Sequence, residues 1–308
     1  MSAALFLILL AQSGAPQGAF GAARPAECGV LEGFKTANVW ERAKEPQLRT
    51  YCNLLASGTA KLVGNASLAK DVPSIASEAD KMLPGRAAPK VLEGRALLRL
   101  GKAADAVKAL DEAKKRDDRA LDDPVALLAW ARANARTAHL DEAAKAYRAA
   151  LPRTSALSTS ERSAASFEAG MIVMGQGTKT VDDAVAMLRQ ARRDAQDALQ
   201  TASVVALALA LDRSGQKDEA KAVLAERVRS DVKPVLVDAR VVEALADAGV
   251  PFEGEALVAT ALEATDPAAA REAWRRYLEG AGGKGPWADH ARAHESADTG
   301  AKKKEAPR

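Results

Sequence analysis

Apolar residues recur every three or four positions along almost the whole chain after Lys35, and short clusters of Gly, Pro, Asp or Thr interrupt the pattern. This spacing is typical of helices with one buried face. Runs rich in Val, Ile, Thr and Tyr, which mark strands, are nearly absent. The pattern therefore predicts an all-α chain, with helices near 38–63, 68–83, 87–100, 103–116, 124–137, 140–151, 158–174, 180–196, 200–214, 217–230, 237–248, 253–264, 267–279 and 285–296.

The predicted helices form pairs that share an arrangement of small residues. The first helix carries a small residue seven positions before the turn, the turn holds Gly or Ala, and an alanine follows early in the second helix. Small side chains are required where two helices cross, because a bulky one would push them apart. The predicted packing positions are Gly94, Gly101, Ala106, Ala131, Ala143, Gly170, Ala184, Ala208, Ala220 and Ala270.

This arrangement resembles the tetratricopeptide repeat (TPR) over residues 36–280. The step from Val72 to Ala106 is 34 residues, the period of that family. The later steps are longer, and the longest leaves room for an extra helix near 237–248. The Trp-Leu-Gly triplet of the family is absent, and another helical-pair solenoid with a looser period remains the alternative. The resemblance implies an α-solenoid, a right-handed superhelix of five to six antiparallel helix pairs over 38–280.

The two ends of the chain differ from the repeats. Residues 1–23 combine a short apolar run with small residues, which predicts a signal peptide, although no Lys or Arg precedes the run. A buried N-terminal helix is the alternative. An N-terminal segment follows at 24–37. At the other end, we expect residues 281–296 to form a cap helix over the last apolar face of the solenoid. We expect residues 297–308 to be a disordered basic tail.

Cys28 and Cys52 are the only cysteines of the sequence. An even count in an exported chain predicts a disulfide between the N-terminal segment and the first long helix, with two unlinked thiols as the alternative. Glu27 stands where bacterial lipoproteins carry a small residue before the lipidated cysteine, so a lipid anchor is not expected. We expect a periplasmic or secreted protein without an integral membrane segment in the mature chain.

The charge and the motifs exclude several functional classes. Lys and Arg number 44 against 41 Asp and Glu, a near balance that does not indicate nucleic-acid binding. The glycine-rich segments 175–180 and 280–285 lack the Gly-Lys-Ser/Thr sequence of a phosphate loop. His290 and His294 stand four apart on one helix face, but no third ligand is evident, so we expect two solvated histidines, with a weak surface metal site as the alternative. We expect no catalytic residue, metal or cofactor.

The resemblance implies that the first helices of the pairs line a concave groove that grips a peptide or a partner helix. Aligned repeats place Arg95 and Arg99 at the positions of Arg132 and Arg136, and Arg213 matches one of these positions in a later repeat. We interpret these arginines as a basic stripe for an acidic or carboxylate-ended segment. The alternative is that they pair with neighbouring acids such as Glu93.

The expected function is therefore that of a non-enzymatic scaffold or adaptor of the cell envelope that binds protein partners. A solute- or peptide-capturing binding protein is one alternative, and an accessory subunit of an envelope enzyme complex is another. The sequence assigns neither the identity of the partner nor an oligomeric state.

Overall fold

The computed structural model describes residues 25–29, 39–63, 66–227 and 233–296. These residues form helices and turns, and none of them forms a strand. The predicted signal peptide, most of the segment 24–37 and the predicted basic tail lie outside the described residues. No helix among the described residues is long and apolar enough to cross a membrane.

The described chain contains a series of longer helices joined by short connections. One-turn helices lie at Ala26–Gly29 and Lys233–Leu236, and 3-10 helices lie at Ala66–Asp71, Leu151–Ala156 and Ala281–Lys284. The longer helices are α1 (Val39–Val63), α2 (Val72–Met82), α3 (Ala87–Arg99), α4 (Ala103–Arg116), α5 (Pro124–Arg136), α6 (Leu140–Ala150), α7 (Thr159–Gly175), α8 (Val181–Asp194), α9 (Asp197–Arg213), α10 (Lys217–Arg227), α11 (Ala239–Asp247), α12 (Glu253–Leu262), α13 (Pro267–Glu279) and α14 (Ala288–Ser296).

Local sequence explains where several of these helices begin. The Asp123 carboxylate accepts a hydrogen bond from the Ala126 amide, and Pro124 occupies the first turn of α5, where no amide donor is needed. Ser158 and Glu161 form a capping box at the start of α7. These caps satisfy amides that the first turn of a helix leaves without a partner.

The turns inside three of the pairs share one backbone conformation. Gly101, Ala138 and Gly215 follow α3, α5 and α9, and their φ angles are 75°, 63° and 84°. This left-handed conformation suits glycine and is strained for Ala138. The Gly or Ala that the sequence pattern placed in each turn is therefore the residue that reverses the chain.

Consecutive helices pack in pairs, and the pairs stack. The pairs are α1–α2, α3–α4, α5–α6, α7–α8, α9–α10 and α12–α13. First helices also contact one another from pair to pair, as α1 does with α3, α3 with α5, α7 with α9, and α9 with α12. The architecture is an all-α solenoid of helix pairs, which confirms the predicted fold class.

Small residues sit where the paired helices approach most closely. A Cβ added to Gly94 would lie 2.5 Å from Leu110 Cγ, and one added to Gly170 would lie 2.5 Å from Leu188 Cγ. Both glycines therefore let the second helix of the pair come within contact of the backbone. Among the other predicted packing positions, Gly101 lies exposed in its turn, and the buried ones are Ala106, Ala131, Ala143, Ala184, Ala208, Ala220 and Ala270.

Two hydrophobic clusters meet at α3. The N-terminal cluster contains Tyr51, Leu55 and Val72 and includes Leu92 and Ala96 from one face of α3. The C-terminal cluster runs from Leu110 to Ala291, and Val91 and Leu98 of α3 pack against it. The two clusters are of unequal size, and α3 contributes apolar side chains to both.

The N-terminal cluster contains the disulfide. Cys28 and Cys52 are bonded, which confirms the predicted pairing, and both are buried. Next to them the Tyr51 hydroxyl donates a hydrogen bond of 2.8 Å to Glu27 Oε1. Burial, with Glu27 nearby, raises the pKa of Tyr51 well above its ordinary value. The disulfide bond and the Tyr51–Glu27 hydrogen bond together fix the one-turn helix Ala26–Gly29 on α1.

Candidate functional site

The inner surface formed by the first helices is partly occupied by the chain itself. Helix α11 packs against α5, α7 and α9, the first helices of three pairs. The sequence predicts an extra helix near 237–248, and the structure places it on the surface where a partner was expected. Among the described residues, α11 has no comparable contact with α1 or α3.

Helix α11 is held by the predicted arginines of α5. Arg136 Nε donates to Asp247 Oδ1 at 2.6 Å. Arg132 donates through Nε and Nη2 to the Glu168 carboxylate of α7, at 2.8 Å and 2.9 Å, and also lies 3.8 Å from Asp247 Oδ2. The Tyr147 hydroxyl lies 3.0 Å from Glu168 Oε2 and 2.9 Å from the Asp247 carbonyl oxygen. Arg132 and Arg136 therefore bind acids of the same chain.

Burial shifts the pKa values of the charged residues in this network. Glu168 is 2% exposed. Burial raises the pKa of Glu168 to about 7, although Arg132 opposes the rise. Burial acts to lower the pKa of Arg132, yet Glu168 and Asp247 raise it above its ordinary value. The arginine thus remains charged and compensates a carboxylate that water cannot reach.

Arg213 lies in the interior. Its Nη2 is 2.9 Å from Glu253 Oε2 of α12, and neither side chain is more than 1% exposed. The guanidinium also lies over the rings of Tyr277 and Trp287, at 5.8 Å and 5.0 Å from their centroids. Arg213 therefore links α9 to the C-terminal helices and presents no surface to a partner in this conformation.

The two arginines of α3 differ from each other. Arg99 Nη1 donates to the Leu62 carbonyl oxygen at the end of α1, at 2.5 Å. Arg95 is half-buried, and no hydrogen bond or ion pair from another described residue reaches its guanidinium. Burial lowers the pKa of Arg95, while Asp123 and Glu161 partly counter the effect from a distance. Glu93, named as an alternative partner, pairs with Lys90 instead, at 2.7 Å.

The two histidines of α14 meet a third potential ligand, Asp212 of α9. Asp212 Oδ2 lies 3.2 Å from His290 Nε2 and 2.9 Å from His294 Nε2. Burial lowers the pKa of His290 to about 4, whereas hydrogen bonds to Asp212 and Glu263 raise the pKa of His294 to about 9. The histidines are partly buried, and they face a carboxylate that lies 78 residues before His290 in the chain. That separation is why spacing in the sequence gave no signal for it.

No family model and no curated protein matches the chain. Two crystal structures of nearly identical TPR-like repeats of a kinesin light chain from Podosopora anserina are 18% and 19% identical to it. They cover 64% and 63% of this chain and 96% and 94% of their own, each with a TM-score of 0.41. The Cut9-Hcn1 hetero-tetramer of APC/C is 15% identical, covering 89% of this chain and 60% of that chain, with a TM-score of 0.39.

The helix pairs of the chain itself, with small residues at each crossing, decide the architecture. The fold is TPR-like. Within this TPR-like solenoid the inner surface has two parts. Over α5, α7 and α9 it is covered by α11 and its arginines are paired. Over α1 and α3 it carries Arg95, which has no hydrogen-bonding partner among the described residues.

Proposed function

We propose that this protein is a non-enzymatic scaffold that binds an acidic segment of a partner protein along the inner surface of α1 and α3. The observation that carries the proposal is Arg95, a half-buried guanidinium for which the described chain provides no hydrogen-bonding partner. A desolvated cation without a partner lowers stability. A carboxylate of a bound segment would supply the missing hydrogen bonds.

The position of Arg95 supports binding along the row of first helices. The acids whose charges act on it, Asp123 and Glu161, belong to the N-terminal ends of α5 and α7. Arg95 therefore lies close enough to these two helix ends for their carboxylates to act on its charge. A segment that contacts Arg95 would run beside α3.

Helix α11 illustrates the recognition that we propose. It presents Glu243 and Asp247 to the α5 arginines, with Arg136 within 3.8 Å of the former and 2.6 Å of the latter. An acidic helix thus occupies the C-terminal part of the predicted stripe. We infer that a partner segment with similar acidic residues binds the adjoining part, centred on Arg95.

The compartment in the proposal is the cell envelope or the exterior. The buried Cys28–Cys52 disulfide supports it, because such bonds persist in oxidising compartments. The predicted export signal lies outside the described residues and stays a prediction.

The test is capture of partners by chemical crosslinking from native envelope fractions, comparing the parent chain with Arg95→Glu and Lys108→Glu. Lys108 is a suitable control because its side chain is 80% exposed on α4, the second helix of its pair. We expect a captured protein to be lost with Arg95→Glu and retained with Lys108→Glu. A synthetic acidic segment of that protein should then bind the parent at least about ten-fold more tightly than the Arg95→Glu variant. Equal capture by all three chains would refute the proposal.

A further inference from the structure

The cluster of Asp212, His290 and His294 joins the end of α9 to the last helix of the described chain. It lies at the opposite end of the solenoid from Arg95 and takes no part in the function proposed for that surface. We propose that these three side chains form a binding site for a divalent transition-metal ion of the zinc class.

The geometry brings three donor atoms to one point. One ligand atom from each residue lies within 4.8 Å of the other two. A tetrahedral zinc ion with bonds of about 2.0–2.2 Å holds neighbouring ligand atoms roughly 3.3 Å apart. The distances from Asp212 Oδ2 to the two Nε2 atoms are 3.2 Å and 2.9 Å, so small side-chain rotations admit the ion.

His290 has an unmet bonding requirement that a metal ion would satisfy. Its Nε2 atom is buried and forms no hydrogen bond, even though Asp212 Oδ2 is 3.2 Å away. A buried polar atom without a partner is uncommon and calls for an explanation such as an ion. The atom faces the same carboxylate oxygen that His294 Nε2 approaches.

A second carboxylate orients His294 in the way that metal-binding histidines are held. His294 Nδ1 lies 2.6 Å from Glu263 Oε1, and Trp274 Nε1 donates to the same oxygen at 2.9 Å. With the Nδ1 proton directed at Glu263, a metal ion would replace the proton that His294 Nε2 shares with Asp212 Oδ2 and would bind the Nε2 lone pair. Carboxylate–histidine–metal chains of this kind fix the tautomer and the ring orientation.

The donor set selects the class of ion. Two imidazole nitrogens and one carboxylate oxygen suit zinc and similar transition metals, whereas magnesium and calcium prefer oxygen ligands alone. Three protein ligands leave a fourth tetrahedral position for water or for a group from a partner. A bound ion would tie α14 to α9 and stabilise the C-terminal end of the solenoid.

The experiment titrates Zn²⁺ and Co²⁺ into the full chain, purified without a polyhistidine tag, and follows calorimetry, Co²⁺ visible absorption and the thermal unfolding temperature. His139→Gln is the control, because His139 is the one remaining histidine and lies exposed in the turn before α6. The test variants are Asp212→Asn, His290→Gln and His294→Gln, with Glu263→Gln for the carboxylate behind His294. Circular dichroism verifies that each variant is folded.

We expect one equivalent of Zn²⁺ to bind the parent and His139→Gln equally, with a tetrahedral Co²⁺ spectrum and a raised unfolding temperature. Each ligand variant should lose saturable binding, and Glu263→Gln should weaken it about 10–100-fold. Absence of binding to the parent would overturn the proposal and leave an ion-pair cluster. Binding that survives all three ligand substitutions would overturn it as well.

Discussion

The two halves of the solenoid use the same helix packing but treat their inner charges differently. At the C-terminal half, helix α11 covers the surface, and Arg132, Arg136 and Arg213 each face a carboxylate of the chain. At the N-terminal half, Arg95 has no such partner among the described residues. In the C-terminal half, the inner arginines are therefore paired within the chain. In the N-terminal half, no carboxylate of the described residues pairs with the Arg95 guanidinium.

The halves also differ in how they are held together. The C-terminal cluster is large and contains buried aromatic side chains such as Trp274, Tyr277 and Phe167. The N-terminal cluster is smaller, with Tyr51 as its buried aromatic side chain, and it contains the Cys28–Cys52 disulfide. A covalent link compensates for limited apolar burial, as in small secreted domains.

The largest change in stability should come from disrupting the buried ion-pair network of the C-terminal half. Arg132→Met leaves Glu168 buried without its bidentate partner, and we expect the free energy of unfolding to fall by about 3–5 kcal/mol in urea denaturation. The control is Arg189→Met, since Arg189 and Glu219 form a pair that is 44% and 45% exposed. That change should cost less than about 1 kcal/mol. Similar losses in both variants would show that the buried network adds nothing special.

Removing the disulfide should weaken the open half alone. The double variant Cys28→Ser, Cys52→Ser releases a loop of 24 residues, which corresponds to about 3 kcal/mol in the chain-entropy view. Hydrogen exchange should increase in α1 and α2 and stay unchanged in α12 and α13. Uniform acceleration across all helices would mean that the two halves unfold as one unit.

Replacing the glycine at a helix crossing should lower the stability by a similar amount in both halves. Gly94→Ala and Gly170→Ala each place a Cβ 2.5 Å from a leucine Cγ, so we expect both to lower the free energy of unfolding by about 1–2 kcal/mol. Gly254→Ala is the control, because its Cβ would lie 3.5 Å from Leu245 Cδ1, an ordinary contact. It should change stability by less than about 0.5 kcal/mol. Unequal costs at Gly94 and Gly170 would indicate that the pairs pack differently.

The helices were largely predictable from sequence because each carries its own apolar period. The predicted 103–116 and 267–279 coincide with α4 and α13, and the predicted 68–83 divides into a 3-10 turn and α2. The helix predicted near 237–248 also forms, as α11. Its amphipathic face indicates only that it packs against something, so its position across α5, α7 and α9 could not be predicted.

Charge partners were harder to predict than helices, because they depend on distant elements meeting. Aligned repeats gave Arg213 the same position as Arg99 and Arg136, but Glu253 of a later helix meets it in the interior. Asp212 could not be predicted as a third potential ligand, because it lies far from His290 and His294 in the sequence. Periodicity is a local property, whereas ion pairs and ligand sets are set by tertiary packing.

The smallest expected effect is the change in the free energy of unfolding when an arginine is replaced by methionine. Its sign should differ between Arg95 in the N-terminal half and Arg162 in the C-terminal half, and it separates partner binding from stability. Arg95→Met removes a half-buried cation without a partner, so we expect the free energy of unfolding to rise by about 0.5–1 kcal/mol. Arg162→Met is the matched control, since Arg162 is 27% exposed but paired with Asp194 at 3.0 Å, and its loss should destabilise the chain. Capture of the partner should fail with Arg95→Met and persist with Arg162→Met. A destabilised Arg95→Met chain would show that the existing structure already satisfies this charge.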